Sequence, residues 1–271
     1  MTAIAHPASS TSRDESRGML LGLAGVAMFS LTMPFTRMAV MDLDPLFAAL
    51  ARALGAAALA AGWLVWRRAP LPPRDAWLPL GLVMLGVVIG FPLLSSMALR
   101  ALPAAHGAVL AGLLPLMTTI HAALRGGERP SPAFWLMAVL GAAIVVAFAL
   151  FQGGGVLHPA DLLMLAALAA GAMGYAEGGK LAHTLGGPET ICWALLLAVP
   201  FAASMLAWHL ARHPIDVATV GPAAWAGLAY ITAISMFVGF FFWYRGLALG
   251  GIARVGQVQL LQPFMSLLGA A

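Results

Sequence analysis

Few side chains in this sequence can do chemistry, and those that can sit inside long apolar runs. Glu177 is the one carboxylate well inside such a run, suited to relaying a proton or holding a substrate ammonium. Lys180, three residues on, offers it an ordinary helical ion pair of about 0.2–0.5 kcal/mol instead. Gln257, Gln259 and Gln262 recur in one stretch; amides suit a zwitterionic solute, and they also bond neighbouring membrane helices together. Residues 257 and 259 lie about 200° apart on a helix, so the three cannot share one face. His106 carries a group that changes charge near neutral pH or serves as an interhelical hydrogen bond. Ser30 and Pro34 share the run Phe29-Ser30-Leu31-Thr32-Met33-Pro34, where the proline removes a donor and leaves a carbonyl for a solute or a hydroxyl. Tyr175, with Phe29, Met33, Phe91 and Phe240, supplies aromatic and methionine surface for an adaptable apolar wall.

Other chemistries lack their residues. The chain has no Gly-x-x-x-x-Gly-Lys-Ser/Thr loop, and its 7 histidines show no His-Glu-x-x-His spacing. Cys192 is the single cysteine, which excludes an intramolecular disulfide and a cysteine-based metal site. No catalytic residue, metal or cofactor is expected.

The elements that position these groups follow from composition. The chain has 271 residues, 62% hydrophobic and 9% charged, where a soluble domain carries roughly 25% charged. Such a chain cannot cover a soluble surface, which argues against a soluble enzyme and against a nucleic-acid partner despite the net charge of +4. Apolar runs at about 18–40, 45–66, 77–99, 103–124, 134–151, 160–182, 190–211, 223–247 and 252–271 each suffice for the ~20 residues that span a bilayer. The expected fold is all-α and polytopic: a tail at 1–17, five helices over 18–151, and a second set over 160–271 that stops one helix short of five.

Orientation follows from Lys and Arg, which stay on the cytoplasmic side. With the N-terminus inside, ten (Arg13, Arg17, Arg67, Arg68, Arg74, Arg125, Arg129, Lys180, Arg245 and Arg254) fall on the inner side. Arg100 and Arg212 fall outside, and Arg37 and Arg52 within or near the ends of the first two spans remain unassigned.

Shifting the chain against itself by 148 residues aligns Leu99 with Leu247, Ala105 with Ala253, Leu113 with Leu261, Pro115 with Pro263 and Met117 with Met265. Paired intrahelical prolines are more informative than paired leucines. Five spans per unit force the two copies into opposite orientations, giving an inverted 5+5 repeat with a site between the halves.

The stretch Ala98-Leu99-Arg100-Ala101-Leu102-Pro103-Ala104-Ala105, then Leu114-Pro115-Leu116, Gly127-Glu128-Arg129 and Leu136 to Phe148, resembles the drug/metabolite transporter superfamily and its bacterial EamA-type members. A second copy reads Gly246-Leu247-Ala248-Leu249 and Gln262-Pro263-Phe264-Met265, and Gly174-Tyr175-Ala176-Glu177-Gly178-Gly179-Lys180 is similar to the same group. The resemblance implies ten helices, an inner-membrane location with cytoplasmic termini, and export of small metabolites, amino acids among them. The expected solute contacts are Ser30, Pro34, His106, Tyr175, Glu177, Gln257 and Gln262, with membrane lipid and a coupling proton as partners. The alternative is an intramembrane enzyme or a non-transporting subunit, which one buried carboxylate among scattered amides and histidines supports poorly.

Overall fold

The computed structural model describes residues 12–126, 131–152 and 158–270. The first part of the tail, the 127–129 motif stretch and the 153–157 loop lie outside the described residues. Within them the chain forms helices α1 (Arg13–Asp42), α2 (Pro45–Arg67), α3 (Arg74–Ala101), α4 (Ala104–Arg125), α5 (Pro132–Gln152), α6 (Pro159–Leu181), α7 (Gly187–Arg212), α8 (Pro222–Gly250) and α9 (252–270). Seven of these are long and apolar enough to cross a membrane. Leu20, Leu59, Val65, Leu78, Leu85, Leu136 and Ile144 face outward, which a bilayer accepts and water does not. The chain is an all-helical, multi-pass membrane protein.

The 148-residue offset reappears in the backbone. Pro115 cannot donate to the Ala111 carbonyl, so the Leu114 N–H takes that oxygen in a 3-10 turn over Ala111–Leu113. Pro263 likewise leaves the Gln259 carbonyl to the Gln262 N–H, in the 3-10 turn Gln257–Leu261. Helices α3 and α8 each contain a π-helical stretch, Met84–Gly90 and Tyr230–Val238, closed by Phe91 N–H to the Gly86 carbonyl and by Gly239 N–H to the Ile234 carbonyl. Each of these four bonds maps onto its counterpart under the same offset.

Packing has the same symmetry. Helix α1 lies along α8 as α6 lies along α3, α1 touches α9 as α6 touches α4, and α2 and α7 pack on each other. Such exchanged pairs are what a two-fold rotation between halves produces.

Where α1 crosses α8 the contact is backbone against backbone. Gly18 and Gly22 face Gly246 and Gly250, two small-xxx-small faces that let the helices close. A Cβ on Gly246 would stand 2.8 Å from the Gly22 nitrogen and 2.9 Å from the Gly18 oxygen. Because backbone cannot swing aside, Gly246→Val should cost about 3 kcal/mol and sharply lower the fraction of monodisperse protein after detergent extraction. Gly62→Val, at a position with open space, should leave that fraction unchanged. Equal yields would show that α1 and α8 do not need this approach.

Candidate functional site

Roughly mid-span, both halves converge on a small enclosed cavity lined by Phe29 and Thr32 of α1, Arg52 of α2, Val87 and Phe91 of α3, Tyr175 of α6, Ser235 and Phe240 of α8, and Gln262 of α9. The irregular segments position it. Val87 and Ser235 lie in the two π-helical stretches, which re-aim side chains where a regular helix would carry them past, and Gln262 follows the α9 3-10 turn. Phe29, Tyr175 and Phe240 form an aromatic wall, with Phe29–Tyr175 stacked at 6.1 Å, Phe29–Phe240 at 5.0 Å and Tyr175–Phe240 at 5.8 Å. In this conformation about 10 Å³ is free, the room of roughly one water.

Arg52 is the polar centre of this wall. It is 2% exposed, its Nη2 donates to Ser235 Oγ at 3.2 Å, and Ser235 Oγ shares a 2.8 Å hydrogen bond with Thr32 Oγ1. Its Nε and Nη1 are buried and have no hydrogen-bond partner among the described residues. No carboxylate lines the cavity among those residues.

Of the seven expected solute contacts the structure brings Tyr175 and Gln262 to the cavity, and Phe29, Phe91 and Phe240 of the expected apolar wall line it with them. Gln262 is 3% exposed with its Oε1 unpartnered among the described residues. Ser30 and Pro34 stand beside it as a backbone device. Pro34 removes the donor to the Ser30 carbonyl, and Ser266 Oγ from α9 donates to that oxygen across the two halves. Gln257 does not reach the cavity; its Nε2 turns to the Ala253 carbonyl of its own helix at 3.4 Å. Gln259, fully buried, has neither amide atom hydrogen-bonded among the described residues.

Glu177 and His106 lie toward opposite ends of the bundle. The Glu177 carboxylate takes Arg125 Nε of α4 at 2.6 Å and stands 3.6 Å from Lys180 Nζ, so the i+3 pairing exists and a second, closer cation joins it. His106 Nε2 sits 2.8 Å from Asp161 Oδ1, and Asp161 Oδ2 accepts the His158 N–H that opens α6. Asp161 escaped notice because a carboxylate in a first helical turn reads as a cap.

The two ends of the bundle differ. At the end holding the α1–α2 and α3–α4 turns, Arg37 of α1 donates to the carbonyls of Leu99, Arg100 and Leu102 that close α3. In return Arg100 donates to the carbonyls of Val40 and Leu43 that close α1, at 2.6 and 3.4 Å. Each guanidinium thus satisfies helix-end oxygens of the other helix. Asp44 caps α2 through the N–H groups of Leu46 and Phe47 and lies 3.2 Å from His209 of α7, while Asp42 accepts the Gly221 N–H ahead of α8 at 3.0 Å. At the opposite end a vestibule of about 640 Å³ opens between α1, α2, α7 and α8, with Trp63, Arg67, Glu189, Phe241 and Arg245 on its walls. Phe241 follows the cavity-lining Phe240 on α8 and points about 100° away round the helix, into the vestibule, and the two spaces share no lining residue.

Comparison with known proteins fits this geometry. The sequence model of the EamA-like transporter family matches residues 16–150 and again 158–271. The chain is 47% identical over 256 residues, 94% of its own length and 88% of the relative's, to the protein named "Uncharacterized transporter YdeK" of Bacillus subtilis (strain 168). A solved crystal structure covers 94% of this chain and 90% of its own with a TM-score of 0.69 at 20% identity, a likeness of fold alone. With the family matched along both halves, on a bundle whose halves close around one cavity, the chain belongs to the EamA-like transporter family.

Proposed function

We propose that the protein is a secondary-active exporter of small amphipathic metabolites, amino acids in particular, working by alternating access across the inner membrane with its N-terminus in the cytoplasm. The observation that carries this reading is the enclosed mid-span cavity, built from both halves and placed between a laced end and a vestibule. A solute crossing the bilayer must exchange water for polar groups near mid-depth, and both halves contribute such groups here. The vestibule end carries Arg67, Lys180 and Arg245, the side that the distribution of positive charge assigns to the cytoplasm. In this reading Tyr175 and Gln262 touch the solute, Ser30 and Pro34 shape the α1 backbone beside it, and His106 and Glu177 hold α4 against α6 at the two ends. Gln257 supports α9, and the five-helix unit 18–151 and the second set 160–271 are the bodies that rock about the paired irregular turns.

The test is flux in reconstituted vesicles loaded with a panel of amino acids, with and without a proton gradient. We expect saturable movement of a subset, driven by the gradient if a proton is the coupling ion. Gln262→Ala and Tyr175→Ala should each lower the rate by about tenfold at equal folded protein. Flux indistinguishable from empty vesicles across the panel would overturn the amino-acid reading.

A further inference from the structure

We infer that Arg52 is the anchor for a carboxylate, and that the cavity selects small solutes with one carboxylate and an apolar or aromatic body, whether or not they also carry an ammonium. This deepens the transport reading, on which it rests. A guanidinium carries five N–H donors and stays charged in a protein. The three hydrogens on Nε and Nη1 make no hydrogen bond among the described residues, and the one bond found there runs from Nη2 to the Ser235 hydroxyl. A structural arginine normally pairs with a carboxylate or caps helix-end carbonyls, as Arg125 and Arg37 do toward the two ends of this bundle. Arg52 does neither.

The surroundings set the rest of the preference. Phe29, Phe91, Tyr175 and Phe240 offer ring surface to an apolar body. Among the described lining residues an ammonium would meet neutral acceptors, the Gln262 Oε1, the Thr32–Ser235 hydroxyl pair and the Tyr175 hydroxyl, so it is tolerated and not required. A phosphate, which carries more charge, would find one cation and few donors in an aromatic pocket, which favours the monoanion.

Thermal stabilisation of the purified full-length protein in detergent tests this, using L-phenylalanine, phenylacetate, L-phenylalaninamide and inorganic phosphate as probes beside a wider panel of amino acids and their des-amino acids. The carboxylates that bind should do so with or without the amino group, while the amide and phosphate should give no shift. In Arg52→Met those carboxylates should bind about tenfold or more weakly, and in Arg52→Lys by an intermediate amount, since an ammonium lacks the planar donor fork. Equal binding of the amide, equal binding by Arg52→Met, stabilisation by phosphate alone, or no shift with any carboxylate would each overturn the anchor. The two readings fail separately. Carboxylates that bind through Arg52 yet are not moved across vesicles sink transport and keep the anchor, whereas flux that survives in Arg52→Met sinks the anchor and keeps transport.

Discussion

Replacing Arg52 with Met should make the resting protein more stable while abolishing carboxylate flux, a combination that a structural arginine cannot give. A cation held in the hydrocarbon depth costs about 2.5–3.5 kcal/mol on insertion scales. Among the described residues it recovers one hydrogen bond, to Ser235, worth about 1 kcal/mol net. Methionine fills much of the same volume, adapts its shape and leaves no charge to solvate. Exchanging a buried charge for an apolar side chain of similar size is often neutral or stabilising by about 1–4 kcal/mol. We expect a gain of about 1–2 kcal/mol, read as a higher midpoint of thermal unfolding in detergent, with transport of the preferred carboxylate at background. A lower midpoint for Arg52→Met would mean that the guanidinium holds α2 against α8 and that its role is architectural.

Much of the fold was legible beforehand because the bilayer imposes strong rules. Apolar length set the helices, and the span read at 45–66 lies within α2, Pro45–Arg67. The paired prolines marked the repeat, and the structure adds a 3-10 turn ahead of each, where the missing donor is compensated. The π-helical stretches could not be read in this way. Tyr230–Val238 contains no proline or glycine to mark it, and its contacts with α2 come from far along the chain. The glycine crossing of α1 with α8 was present in the sequence as Gly18-x-x-x-Gly22 and Gly246-x-x-x-Gly250, yet a single-helix motif does not name its partner.

The candidate site was less visible. Arginines in a membrane sequence normally read as topology signals, and Arg52, seven residues into a span, falls on neither side of that count. The residue between Leu50 and Ala53 that mattered most was therefore the one that fitted no pattern. Glu177 drew attention as an isolated carboxylate, but Arg125, its closest partner, is 52 residues away and only the fold brings them together. The same holds for His106 and Asp161, and for Ser266 at the carbonyl that Pro34 leaves free. Long-range polar pairs of this kind have no periodic signature.

Removing the arginine lacing between α1 and α3 should open the cavity toward the face that the transport reading assigns to the outside. Arg37 and Arg100 each donate to the closing carbonyls of the other's helix, so neither helix end can leave without exposing unpaired oxygens and a guanidinium together. Hydrogen bonds from charged donors are worth about 1.5–3 kcal/mol when buried. These are half-exposed, and water competes for them, so about 2 kcal/mol for the whole lacing is a fair expectation. That shifts the balance between closed and open forms by roughly thirtyfold. The reporter is Thr32→Cys, a cavity position, placed in a Cys192→Ala background and treated with a membrane-impermeant thiol reagent added to intact cells. The rate of labelling should rise by about tenfold or more in the Arg37→Ala, Arg100→Ala double variant. It should stay unchanged in Arg212→Ala, whose guanidinium stacks over Trp208 at 4.6 Å near the end of α7. A single arginine change should recover only part of the effect, because the remaining guanidinium still ties one helix end to the other. An unchanged rate in the double variant would show that the Asp44–His209 and His106–Asp161 contacts hold this end closed without the arginines. Labelling that accelerates only after lysis would place the laced end in the cytoplasm and reverse the direction of transport argued above.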